Sequence, residues 1–216
     1  MKRFLIVCLA LLACFGTVSA RKKSPKSGKI ENNVYTDSKY NFQLTLLENW
    51  EAKLQKPKKK LRLVLTQNDH EIPGELMQFP SMAKVPGLDI YIVKVPFTPA
   101  AFVDSLVSNS YKSKIKKEVL KDLIALEETV VFDGLTTEKK RGVKIDNKQA
   151  FQWEGVSHYT KKLGMGETIP RTYAVALTAI KNGDNMMVFV LECERTFFHK
   201  IIKEVTAMIE SLKWPE

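Results

Sequence analysis

The 216-residue sequence has only three cysteines and three histidines. Cys8 and Cys14 both lie near its start, so Cys193 stands alone in the body of the chain. Loss of an N-terminal segment would therefore exclude any intramolecular disulfide. The histidines show no His-x-x-x-His spacing and the cysteines no Cys-x-x-Cys pair, the usual signatures of a metal site. Gly-x-Ser-x-Gly, a P-loop and Gly-x-Gly-x-x-Gly are missing too, and Gly164-Met165-Gly166 is an isolated pair. No apolar run approaches the ~20 residues that a membrane span requires, and no internal repeat occurs. These lacks argue against nucleotide-dependent, serine-hydrolase and metal-dependent chemistry, and the sequence implies no cofactor.

What is present begins with an export signal. Lys2 and Arg3 precede twelve apolar residues, Phe4 to Phe15, and Val18-Ser19-Ala20 supplies a small-residue cleavage site. Twelve helical residues rise only ~18 Å against a hydrocarbon core of ~30 Å, so the segment is read as removed, not as an anchor. Residues 1–20 are thus expected to be a signal peptide, and the mature chain periplasmic or extracellular. A competing reading takes Leu11-Leu12-Ala13-Cys14 as a lipoprotein box with a lipidated Cys14.

The charge is strongly positive: 34 Lys and Arg against 24 Asp and Glu, a net of +10. Residues 21–33, opening Arg21-Lys22-Lys23-Ser24-Pro25-Lys26, read as a basic disordered linker without apolar periodicity. Other cations are scattered: Lys56 to Lys60 in a loop, Lys139-Lys140-Arg141 and Lys161-Lys162 at turns, and several lysines on a helix. Such a charge suits an anionic partner, either an unknown protein or an envelope component, and allows peripheral contact with a membrane surface. Nucleic acid is not expected, because export removes the chain from it and no recognition motif is present.

Alternating apolar residues predict strands over Tyr40–Leu46, Trp50–Leu54, Leu61–Leu65 and Leu88–Val95. Thr98-Pro99 opens a helix with a hydroxyl cap and proline in the first turn. A second helix carries Ile115, Val119, Leu123 and Leu126 on one face. Five strand-like runs follow, at Thr129–Phe132, Arg141–Ile145, Ala150 to about Tyr159, and Thr172–Ile180 leading through Asn182-Gly183 into Met186–Glu194. Asp146-Asn147 and Asn182-Gly183 mark hairpin turns. Thr196 opens a closing helix whose stripe is Phe198, Ile202, Val205, Ile209 and Leu212. Met187, Phe189, Leu191 and Cys193 share one strand face, which makes Cys193 a core residue and not a nucleophile. The expected class is α+β, with a single central antiparallel β-sheet and helices packed on it.

Tyr40-Asn41-Phe42 with Asn49-Trp50, Val131-Phe132-Asp133-Gly134, Ala150-Phe151 and the closing Ser211-Leu212-Lys213-Trp214 resemble the PsbP-like superfamily over residues 34–214, and residues 34–216 are read as one domain. Asn41 stands where that family carries glycine. The resemblance implies a three-layer α/β/α sandwich serving as a non-enzymatic accessory or binding module.

Candidate chemistry is sparse. Asp69-His70-Glu71 could donate ligands, and His158 beside Tyr159 could act in acid/base work, but neither has partners in sequence. The best binding candidate is the stretch from Lys161 to Arg171, where Lys161, Lys162 and Arg171 are expected on one rim near Trp153 and Tyr159. The leading reading is an exported, non-catalytic binding domain with a basic surface for an anionic partner. The alternative is a small envelope hydrolase or metal-dependent enzyme.

Overall fold

The computed structural model describes residues 25–78, 80, 83–108, 135–162 and 168–215, with the backbone alone over 159–162 and 168–171. The expected signal peptide, the helix bearing Ile115 to Leu126, the strand at Thr129–Phe132, the turn at Asp133-Gly134 and the glycines of the 163–167 stretch lie outside these residues.

Among the described residues, ten strands form two sheets. The smaller sheet has the order β1-β2-β3, from Gly28–Glu31, Val34–Asp37 and Gln43–Thr45. The larger comprises β4 (Trp50–Leu54), β5 (Leu61–Gln67), β6 (Gly87–Lys94), β7 (Leu135–Ile145), β8 (Lys148–Lys162), β9 (Thr168–Asn182) and β10 (Asn185–Glu194). Its order is β4-β5-β6-β10-β9-β8-β7, and every pairing is antiparallel. Helix α1 spans Pro99–Val107 and α2 spans Phe198–Glu210. The class is α+β, as expected, but the single sheet is corrected to two.

Strand periodicity sorts the core. Leu88, Ile90 and Ile92 of β6 and Met187, Phe189, Leu191 and Cys193 of β10 share a cluster with Phe198, Ile201, Val205, Met208 and Ile209 of α2, with Tyr35 and Leu44 of the small sheet and with Phe42 just before β3. Tyr91 and Val93, Met186, Val188 and Val190, and Val175, Leu177 and Ala179 alternate onto a second cluster with Phe102, Val103 and Leu106 of α1. The two faces of the large sheet therefore each bury an apolar layer.

Local chemistry explains the elements. Thr98 Oγ1 accepts from Ala101 N at 3.3 Å at the start of α1, with Pro99 in its first turn. The β7–β8 turn holds Asp146 at φ 47° and Asn147 at φ 60°, the type I′ pattern. Asn32 and Asn33, at 49° and 59°, make a similar turn between β1 and β2. That hairpin corrects the expectation of a disordered linker to residue 33: Ser27 is buried and residues 28–31 pair with 34–37. Its strands are too short and too charged to show alternation. The C-terminus joins the small sheet, with Gln43 N donating to Lys213 O at 2.8 Å and Lys213 N to Gln43 O at 3.0 Å.

Lys139-Lys140-Arg141 lie in the middle of β7 and Lys161-Lys162 within β8, not at turns. A run of polar side chains reads as a loop in sequence, yet both strands are held by their backbone ladder.

Candidate functional site

The stretch expected to bind is the far end of the β8–β9 hairpin. Its backbone register pairs Tyr159 with Arg171, Lys161 with Ile169 and Lys162 with Thr168. Tyr159 and Arg171 are thus cross-strand partners, while Lys161 and Lys162 lie farther along toward 163–167. Trp153 does not belong to this rim. It sits six residues back along β8, wholly buried among the residues packed on α1, and its Nε1 donates to Thr137 Oγ1 at 2.9 Å. Its large apolar ring, on the inward-facing register of β8, drives it there. His158 is exposed, with Nδ1 3.1 Å from Thr172 Oγ1.

A groove of about 750 Å³ opens elsewhere, between β7, β8 and α2. Phe198, Ile202 and Ala207 of α2 give it an apolar wall, and Lys139, Arg141, Arg195, His199 and Lys203 bring positive or titratable groups to it. Glu138, Glu154 and Glu210 also line it. Arg195 Nη2 meets Glu138 Oε1 at 2.8 Å, and Lys139 Nζ lies 3.7 Å from Glu154 Oε1. Arg141 Nε donates to Gln152 Oε1 at 2.6 Å, a neutral partner. On the opposite side of β7, Lys140 pairs with Asp104 of α1.

β7 itself is unusual. Residues 136–142 are exposed without interruption, although a sheet strand ordinarily buries alternate residues. Within that run, Lys139-Lys140-Arg141 show no period-2 apolar signal, so sequence reasoning placed the strand only over Arg141–Ile145 and missed its first half and the groove.

The remaining candidates are separate. His70 lines a smaller pocket of about 260 Å³ with Asp69, Glu71, Lys200 and Glu204. There Glu204 Oε2 accepts from Gln67 Nε2 at 3.0 Å and from Asn49 Nδ2 and Trp50 Nε1 at 3.3 Å each, while Glu71 pairs with Lys200 at 2.6 Å. Among the described residues, no three His, Cys, Asp or Glu side chains are grouped to hold a metal ion. Cys193 is buried, and burial together with Glu194 and Glu192 pushes its thiol up to about 12, so it stays protonated and inert. No described helix is long and apolar enough to cross a membrane.

No protein-family model and no curated protein matches the chain. Among solved structures, cyanobacterial PsbP (CyanoP) from Synechocystis is similar at TM-score 0.46 and 9% identity, covering 94% of this chain and 99% of its own. LpqN of Mycobacterium tuberculosis, described as involved in cell envelope biogenesis, aligns at 0.41 and 13% identity over 80% and 82% of the two chains. The Ran-binding protein Mog1p of Saccharomyces cerevisiae aligns at 0.47 and 10% over 80% and 89%. Asn41, which stands where the resemblance read from the sequence implies glycine, holds φ 48°.

Proposed function

We propose that this protein is an exported, non-catalytic binding or accessory domain that takes an anionic partner on the face formed by β7, β8 and α2. The observation that carries this reading is the groove between them. Its apolar wall of Phe198, Ile202 and Ala207 is overhung by Lys139, Arg141, Arg195 and Lys203. Apolar surface beside cations suits a partner that is anionic and partly buried on contact. The basic hairpin end with Tyr159, Lys161, Lys162 and Arg171 belongs to the same reading, continuing β8 beyond the groove. Trp153 supports that hairpin from within. We read the fold as three layers, with α2 and the small sheet over one face and α1 over the other.

The test is retention of envelope material from the exporting cell, at low and high salt, by the wild type and by an Arg141→Glu/Lys203→Glu double variant. Exposed charges are screened beyond ~8 Å at physiological ionic strength, so retention should fall steeply with salt and be lost in the variant. Retention indifferent to both changes would refute the reading.

A further inference from the structure

We infer that the outer edge of β7 is a docking edge for an extended acidic polypeptide, which joins the large sheet as an additional strand. The inference rests on the proposed anionic-partner face and names the class of that partner.

β7 is eleven residues long and ends the sheet order; among the described residues its ladder partner is β8 alone. A terminal strand presents a row of backbone N–H and C=O groups that can template a further strand. Over residues 136–142 its side chains are exposed on both faces, so among the described residues no layer covers an added strand there. The opposite edge differs: β4 has five residues, begins with buried Trp50, and alternates Glu51 with Lys53.

Charge then selects the occupant. From Lys139 to Lys144 the strand carries four cations and no carboxylate. Lys139 and Lys140 have Glu154 and Asp104 nearby, but Arg141 and Lys144 have no carboxylate partner among the described residues. Pairing with β7 of a second copy would set cation against cation, the device by which edge strands resist self-association. An acidic strand meets the opposite sign at the same positions. With Arg141 lining the groove and Lys140 paired toward α1, cations stand on both sides of the edge. A flat anionic surface would use these charges yet leave the backbone row unpaired.

The experiment uses the full chain with an alternating Glu-Val octapeptide, two versions of it N-methylated at the Glu or at the Val residues, and phosphatidylglycerol vesicles. On adding the parent peptide, hydrogen exchange should slow at alternate amides of residues 136–144. Affinity should drop about tenfold in Arg141→Glu/Lys144→Glu, the scale of two exposed charge reversals. One N-methylated version should bind about tenfold more weakly while the other, whose methyl groups face away from β7, binds like the parent. Peptide binding without alternating protection, or equal binding of both methylated versions, overturns the inference. Vesicle binding that depends on Arg141 and Lys144, with no peptide binding, overturns it too but leaves the anionic-partner reading standing. Binding of neither probe removes both.

Discussion

Arg62 is almost wholly buried, yet no donor nitrogen of its guanidinium lacks a partner. Nε donates to Asp37 Oδ2 at 2.8 Å and Nη2 to Asp37 Oδ1 at 3.2 Å and Ser27 O at 3.1 Å, while Nη1 reaches Pro57 O at 2.5 Å and Lys59 O at 3.0 Å. Asp37 also accepts from the Tyr35 hydroxyl at 2.8 Å and from the Lys39 and Tyr40 amides. The cluster ties the small sheet to β5 and the lysine loop. Asp37→Ala would strand the guanidinium in the interior, and the expected cost is about 3–5 kcal/mol, read from the urea midpoint. A second residue works against stability. Burial chiefly, and Glu192 secondarily, push the Asp89 carboxyl up to about 6, although the Tyr91 hydroxyl at 3.2 Å and Lys84 oppose the shift. Its ordinary value is 3.8, so between about pH 4 and 6 the folded state binds more protons than the unfolded chain. Asp89 therefore lowers stability as pH rises through that window. Asp89→Asn should raise the thermal midpoint at pH 7 and remove that part of the pH dependence, leaving little difference from wild type at pH 4. An equal difference at both pH values would contradict this assignment.

At the scale of elements, two glycines in the β7–β8 hairpin make opposite predictions. A Cβ on Gly155 would run into Thr136 O and the Trp153 ring, whereas one on Gly142 meets nothing within 4 Å. Gly155→Ala should destabilise by roughly 1–3 kcal/mol, the range for overpacking. Gly142→Ala should be neutral or mildly stabilising, because it only restricts the unfolded chain. Comparing the two denaturation midpoints checks both. The elements legible in the sequence were those with an apolar stripe, β4, β5, β6, β8, β9, β10 and α2, together with α1 through its Thr98-Pro99 start. Asn182-Gly183 announced the β9–β10 hairpin, though the loop residues are Gly183 and Asp184, since Asn182 pairs with Asn185. β1 and the first half of β7 were not legible. Ile30 is the sole apolar residue of β1, and β7 shows seven consecutive exposed residues, so neither carried the two-residue rhythm.

For the whole molecule, the buried thiol and the export reading each give an expected outcome. Cys193 should resist a thiol reagent in the folded protein and react fully in denaturant, measured by mass shift; prompt reaction in the native state would show that the β10 face opens. The exported chain should begin at Arg21 by intact mass, and an acyl group on Cys14 would replace that proposal with the lipoprotein reading. The candidate site was only partly visible beforehand. Lys161, Lys162, Tyr159 and Arg171 could be seen as a basic hairpin end, but the groove joins Arg141 of β7 to Arg195 and Lys203 some fifty to sixty residues later. No local pattern reports that juxtaposition.

Composition, charge and periodicity by themselves determined the α+β class, the hairpins of the second half, the burial of Cys193 and the positive surplus, because each follows from which side chains prefer water and how often they recur. Tertiary structure alone decided that β1–β3 form a sheet of their own, that Arg62 and Asp37 share an interior, that Trp153 turns inward and that β7 ends the order of the described strands. Those outcomes depend on which strands become neighbours. Strand order is set by the summed packing of distant segments, a quantity that no short stretch of residues encodes.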